Sequence, residues 1–392
     1  MSYVEYIRRK SMSRLLISIL AAVLISFVGA AQAEDLPIGV VGSLSGGGTE
    51  WGIATQRGVE LAVAEVQAAG GLKVGNKTYS PKVIMYDDQY TGQGGTTAAT
   101  RLINIDGVKF ILGPVGSPAV LGVLGVTQRS NVLVLSNGFS PKILTPESKF
   151  NFRVSLTTSE FSPAVIEWLR GKYPNVKRVG VLLPNDAVGQ SVAPILLAAY
   201  KNNGFEILSD ERYDRGAVDF TPIITRMMSA KVELIEVSGN APGEVGLFIR
   251  QARQMGYQGT ITGGPGYADE VIKVAASSAN GFITYSLFDP TSAEAQGFVA
   301  AYQAKHKGPI NDYAPVFYNA SKLLFEAMRR AGTDDVAKVR DEILKLEGFE
   351  TIFGRVRWGG QETYGIKHQL LTDLHMAEIV DGKLRSLGKI TR

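Results

Sequence analysis

Cysteine is absent from this sequence, and histidine occurs only as His306, His368 and His375. Without thiolates there is no disulfide, no thiolate zinc site, no iron–sulfur cluster and no cysteine nucleophile. His368 and His375 are close in sequence but match no metal-binding spacing, so surface or sheet-edge roles are expected and neither metal nor cofactor is implied. No G-x-S-x-G segment offers a nucleophile elbow. The glycines of "GSLSGGG" (42–48) lack both the Lys-Ser/Thr ending of a phosphate loop and dinucleotide-type spacing. With no base and nucleophile pair in view, an enzyme is not expected.

Long apolar runs are equally scarce. The exception, "LLISILAAVLISFV" (15–28), follows the basic stretch "IRRKSMSR" and precedes Ala31-Gln32-Ala33. That order is the pattern of a secretory signal peptide cleaved after Ala33, and the run is shorter than the ~20 residues that span a bilayer. Removing residues 1–33 lowers the formal charge from +4 to +1, with 37 basic residues left against 36 acidic. A near-neutral mature surface carries no nucleic-acid footprint and fits a small-molecule partner.

What is present is a rhythm. "LPIGVVG", "PKVIMYDD", "VKFILG" and "NVLVLS" are expected strands, separated by helices that include "WGIATQRGVELAVAEVQAAGG", 91–104 and 117–129. The pattern restarts with strands at "VKRVGVLLP", "EILSDERY", "VELIEVSG", "GTITGG" and "GFITYS", and with helices at 188–203, 221–229, 243–255 and 268–275. Three consecutive helical stretches follow from Ser292, then short strands at "FGRVRW" and "LLTDLHMAEIV". Alternation of this kind predicts an α/β fold with two doubly wound parallel-sheet lobes. A chain of 392 residues is long enough for both.

Ligands of open α/β sheets sit beyond the carboxyl ends of strands, where helix N-termini offer unpaired N–H groups to anions. Four stretches have that position: "SLSGGGTEWG", "GPVGSPAV", "SNGFSPKIL" and "GGPGYADE". Ser117-Pro118 and Ser140-Pro141 are also ordinary helix-start signals, repeated at Ser162-Pro163 and Thr221-Pro222. Gly116 and Gly138 add room for close approach of a ligand to the backbone. Asp87 and Asp88 face opposite ways if the strand continues, and a turn-forming or capping role is expected for them.

Taken in order, "IGVVGSLSGGGTEWGIATQRGVELAVAEVQAAGGL", "VIMYDDQYTG", "FILGPVGSPAV", "VLVLSNGFSPKIL", "FNFRVS" and "FIRQARQMGY" resemble the periplasmic leucine/isoleucine/valine-binding protein family, the type I substrate-binding proteins of ABC importers. The likeness runs from about Pro37 to beyond Trp358. It implies a periplasmic monomer that captures a small ligand between two lobes and presents it to an inner-membrane ABC permease; a ligand sensor of the same fold is the other class it allows. Lobe 1 is expected from 34–155 plus 287–358 and lobe 2 from 156–286 plus 359–392. The joining crossovers fall near 154–158, 285–289 and 357–365.

The resemblance assigns the ligand carboxylate to Ser117, the Gly138 N–H and Ser140, with Trp51 as the packing aromatic. It also assigns an acid to the place of Gly266, and tyrosines to those of Val188 and Asn240. A buried ammonium without an anion is costly, which points away from an α-amino acid and toward a small carboxylate, aromatic or otherwise hydrophobic. Leucine, isoleucine and valine stay open as the alternative. Gly266 is expected to vacate a slot lined by Tyr267, Phe139 and Trp51, with Asn240 at a distal polar group. The resemblance further implies a disulfide between two loops whose places are taken here by Tyr90 and Gly116.

Overall fold

The computed structural model describes residues 33–390, so residues 1–32 of the expected leader lie outside the described residues. The first lobe is built from β1 (Glu34–Gly42), α1 (Thr49–Ala68), β2 (Leu72–Val74), β3 (Lys77–Asp87), α2 (Gly92–Asn104), β4 (Phe110–Val115), α3 (Ser117–Thr127), β5 (Leu133–Asn137) and β6 (Asn151–Arg153). The chain then crosses to the second lobe for α4 (Thr158–Lys172), β7 (Arg178–Pro184), α5 (Ala187–Asn202), β8 (Glu206–Tyr213), α6 (Thr221–Ser229), β9 (Leu234–Glu236), α7 (Pro242–Gln254), β10 (Thr260–Thr262), α8 (Ala268–Ala275) and β11 (Phe282–Ser286).

It returns for α9 (Gln296–Lys305), α10 (Tyr313–Ala331), α11 (Val336–Leu344), β12 (Glu350–Thr351), β13 (Gly354–Arg355), β14 (Arg357–Gly359), α12 (Gln361–Tyr364) and β15 (Gln369–Leu371). A last crossing places β16 (Leu374–Val380) and β17 (Lys383–Ile390) on the second lobe. The first sheet runs β14-β15-β6-β5-β4-β1-β3-β2 and the second β17-β16-β11-β10-β9-β7-β8. The central strands of each are parallel.

The central strands read as unbroken apolar runs because helices cover both of their faces. Every residue of β4 and β5 is buried. Their carboxyl ends point the loops at 43–48, 88–91, 116–117 and 138–140 toward one edge of the first lobe, facing the corresponding edge of the second. Among the described residues no helix is long and apolar enough to cross a membrane.

Three local expectations need correction. The third crossover is not at 357–365: β15 pairs antiparallel with β14 and parallel with β6, so 359–371 stay on the first sheet and the chain passes between sheets at Thr372 and Asp373. Two short strands joined through α12 extend an edge that was expected to end at Trp358. Ser162-Pro163 does not start a helix either. It lies inside α4, whose first turn is closed by Glu160 Oε2 accepting from Thr157 N and Oγ1 at 2.9 and 2.6 Å. Strand β3 begins at Lys77 rather than Pro81 and pairs with the unanticipated β2.

The β14–β15 extension is anchored by Trp358, 4% exposed, whose ring meets Phe152 edge-on at 5.2 Å and whose Nε1 donates to Ile343 O at 3.2 Å. Trp358→Ala is expected to destabilise the folded chain by about 3–5 kcal/mol. Urea unfolding checks this; a loss under ~1 kcal/mol would mean that the strand pair is not part of the first lobe's core.

Candidate functional site

The first two strand-end loops are fastened to each other by the adjacent aspartates. Asp87 accepts from Leu44 N at 2.8 Å, Ser45 Oγ at 2.6 Å and Gln89 N at 2.8 Å; Asp88, buried, accepts from Ser43 Oγ at 2.6 Å and Tyr90 N at 2.7 Å. Burial pushes the Asp88 carboxyl up to about 6. Both side chains are turn formers, while the cap of α2 is Thr91, accepting from Gly94 N.

Ser117 is not a helix cap. Gly116 holds the cap position of α3 at φ +108°, Ser117 is its first residue, and no side chain caps the helix. The Ser117 hydroxyl instead accepts from Ser140 N at 2.9 Å, across to the loop after β5, which leaves its own proton free to donate. Ser140 does cap: Oγ accepts from Lys142 N at 3.3 Å and donates to Ser191 Oγ of α5, in the opposite lobe, at 3.0 Å. Among the described residues, the N–H groups of Gly138 and Phe139 have no hydrogen-bond partner. Two hydroxyls, two free amides and the start of α3 therefore converge, a constellation suited to a carboxylate.

The two glycines serve the protein's own packing rather than open space. A Cβ on Gly116 would lie 2.4 Å from the Tyr90 ring, and one on Gly138 would lie 2.5 Å from Ile143 Cδ1 and 3.1 Å from Ser117 Cα. Tyr90 and Gly116 thus touch at the two places where the resemblance implied a disulfide.

Behind this loop lies Arg153, the last residue of β6 and fully buried. Its Nη1 donates to the carbonyls of Gly138 at 3.2 Å and Ser140 at 3.1 Å, and its Nε donates to Gln369 Oε1 at 2.6 Å. The guanidinium carbon lies 4.4 Å from the centre of the Tyr364 ring.

The lips of the cleft meet through aromatic side chains. Trp51 stacks on Tyr267 of the second lobe at 6.1 Å, and touches Tyr90 at 5.6 Å and Tyr313 at 5.8 Å. Phe139 reaches across to Phe161 of α4 at 5.3 Å. Gly266 vacates nothing: at φ +72° a Cβ there would meet Tyr313 Cε2 at 3.0 Å and Trp51 Nε1 at 3.1 Å. Its peptide is gripped by the first lobe, with Trp51 Nε1 and Asn311 Nδ2 both donating to Gly266 O at 3.2 Å and Gly266 N donating to Asp312 Oδ2 at 3.1 Å. Val188 lines the cleft beside Gly239. Asn240 turns inward, its Nδ2 donating to Leu182 O and Val237 O, so only Oδ1 is left for any other partner. Its backbone O accepts from the Tyr267 hydroxyl at 2.7 Å.

Between Trp51, Tyr90, Ser117, Gly138, Phe139 and Tyr313 about 20 Å³ stays open, room for roughly one water. The cleft is shut, and a ligand enters only when the lobes part. Sequence reasoning missed Asn311 and Asp312, which precede α10, and Tyr313, its first residue, all far from any strand-end signal. It also missed Arg215, held by Asp186 at 2.6 Å and Glu244 at 3.3 Å, with its guanidinium 4.9 Å from the Tyr90 ring across the cleft.

Two parallel-sheet lobes, three crossings and a cleft between them lined by hydroxyls, amides and aromatics define the architecture of a two-lobed binding protein. The periplasmic binding protein family matches residues 35–383, and the chain belongs to it, as a substrate-binding protein of the branched-chain amino acid type of ABC transporter. The Leu/Ile/Val-binding protein of Escherichia coli strain K12 is 24% identical over 338 residues, covering 85% of this chain and 89% of that protein. The Leu/Ile/Val-binding protein homolog 3 of Brucella melitensis is 28% identical over 351 residues, 88% and 92% of the two chains. Among solved structures, the branched-chain amino acid transporter substrate-binding protein of Streptococcus pneumoniae with isoleucine superposes with a TM-score of 0.80 at 25% identity over 91% of this chain and 99% of that one. A solute-binding protein of R. palustris with benzoate gives 0.78 at 22% over 91% and 96%.

Burial, offset in part by the hydrogen bonds from Ser286 Oγ and Gly266 N, pushes the Asp312 carboxyl up to about 7, and the nearby Asp269 carboxylate adds to the rise. The folded value lies above the ~3.9 of an unfolded aspartate, so the folded chain holds an extra proton between about pH 4 and pH 7. The resulting stability is present at the acid end and lost as pH rises toward 7. The unfolding free energy of the wild type minus that of Asp312→Asn is therefore expected to fall as pH increases over that window; a flat difference in a pH series of denaturant titrations would contradict it.

Proposed function

We propose that this chain is the periplasmic receptor of an importer for a small hydrophobic carboxylate, aromatic acids first. What supports this reading is a cleft with hydroxyls and N–H groups at one end and, among the described residues that line it, no acid. Ser117 and Ser140 supply hydroxyls, Gly138 and Phe139 supply N–H groups, and the α3 N-terminus adds a favourable field. Gly266 has no side chain to meet an ammonium, and Trp51, Phe139, Tyr90 and Tyr313 offer flat apolar faces. Ligand enters the open cleft, the second lobe swings about the three crossings, and the monomer in its closed form is recognised by the inner-membrane permease.

Leucine, isoleucine or valine is the second reading, and Asp312 speaks for it. This carboxylate lies against Gly266, close to where an ammonium would need an anion, although its oxygens already accept from Ser286 Oγ at 2.5 Å and Gly266 N. The fold accommodates both ligand classes, since the Streptococcus pneumoniae protein is in complex with isoleucine and the R. palustris protein with benzoate.

Calorimetric titration of the purified protein with benzoate-type acids, aliphatic acids and the three branched amino acids separates the two. Saturable heat with aromatic acids is expected; tight leucine binding with no response to the other acids overturns the first reading. Ser117→Ala is expected to weaken binding of the responding acid about 10- to 100-fold, the scale of one hydrogen bond to a charged group. An unchanged affinity would remove Ser117 from the cradle.

A further inference from the structure

Among the described residues, Arg153 is the cation whose side chain bonds to the loop at 138–140, and it does so from inside the protein. All of its hydrogen-bond partners are neutral: the Gly138 and Ser140 carbonyls and the Gln369 amide oxygen. Its Nη2 is buried without a partner. Among the described residues no carboxylate forms an ion pair with it; Glu160 is reached only through Tyr364, whose hydroxyl donates to Glu160 Oε1 at 2.5 Å while its ring lies against the guanidinium. A buried charge with so little compensation is expensive to keep unless something else balances it.

We propose that Arg153 is a positioning residue that makes the cleft select an anion over a neutral ligand of the same shape. It acts in two ways. In a planar trans peptide the C=O and the following N–H point in opposite directions, so drawing the Gly138 carbonyl back toward Arg153 turns the Phe139 N–H away from it. The Ser140 carbonyl, drawn to the same nitrogen, fixes the loop at its other end, where Ser140 N meets Ser117 Oγ. The second effect is direct: a ligand carboxylate on the outer side of the loop supplies the negative charge that the protein withholds, across a layer of oriented peptide dipoles and out of water.

The inference rests on the reading that the cradle holds a carboxylate, and a matched pair of probes keeps the two apart. Benzoate and benzamide are titrated calorimetrically into the full mature chain carrying Arg153, Arg153→Gln or Arg153→Lys, with thermal unfolding of each unliganded protein alongside. Arg153→Gln is expected to weaken benzoate binding tenfold or more while benzamide changes by less than about threefold. Arg153→Lys, which keeps the charge but loses the fork, restores part of the benzoate preference and stands in if the glutamine variant does not fold.

Equal losses for the two probes, or a lowered unfolding midpoint with the preference intact, overturn the proposal and leave Arg153 a structural residue. A wild type that ignores benzoate but binds leucine overturns the aromatic reading alone, and leucine against leucinamide then decides the role of Arg153 by the same ratio. A wild type that binds neither acid overturns both.

Discussion

The grip of Arg153 on the loop at 138–140 is the contact on which the geometry of the cleft depends. A strand-end loop carrying two free N–H groups and two hydroxyls would ordinarily relax toward its own side chains or toward water. Here its carbonyls are held from below by one guanidinium nitrogen, Arg153 Nη1, which turns the Phe139 N–H outward. The same side chain reaches the moving parts. Gln369, whose Oε1 accepts from Arg153 Nε, donates in turn through Nε2 to Ser155 O in the first crossing, and Tyr364, stacked on the guanidinium, donates to Glu160 at the start of α4. The carboxylate loop, the first crossing and the strand that leads into the third therefore share one buried polar network.

Across the cleft the contacts are of a different kind. The Gly266 peptide meets Trp51, Asn311 and Asp312, Ser140 meets Ser191, and Arg215 lies over Tyr90. Each is a single hydrogen bond or ring contact of the sort worth about 1 kcal/mol net, and each has water as a ready substitute when the lobes part. The interior of each lobe has no such alternative, because β4 and β5 are buried along their whole length. Rigid lobes joined through replaceable lip contacts are the condition for closure by a ligand that adds only a few kcal/mol.

Much of this architecture was legible in the sequence because parallel sheets demand it. Apolar strands followed by amphipathic helices can be laid down in few ways, and the ligand position follows from where the strands end. Ser117, Gly138 and Ser140 stood out for that reason. The rest was hidden by locality. Ser117-Pro118 has the residue types of a helix cap, and only the fold shows that the hydroxyl's partner is Ser140 N, 23 residues away. Glycine at 266 implied empty space, whereas Tyr313, on a helix that returns from the far end of the chain, fills it. Strands were expected at "FGRVRW" and "LLTDLHMAEIV", but not that the second divides at Thr372 and Asp373, with β15 on the first sheet and β16 on the other, because sheet membership is set by partners distant in sequence.

The distribution of charge around the cleft bears on what it holds. An amino acid needs an anion for its ammonium as well as a cradle for its carboxylate, and both must persist at the pH of use. The cradle end has Arg153 at its back and the start of α3 beside it. At the other end the acid that lies against Gly266 is Asp312, whose carboxyl sits near 7 and whose two oxygens already serve Ser286 and Gly266. Burial makes this carboxyl reluctant to ionise, and its oxygens are shared between two protein donors before any ligand arrives. An ammonium would have to compete for that oxygen lone-pair space after losing its water, while an aromatic ring in the same place would need only to displace one aromatic contact with another. These terms are the physical ground for the proposed ligand, one with a single charge, and that charge negative.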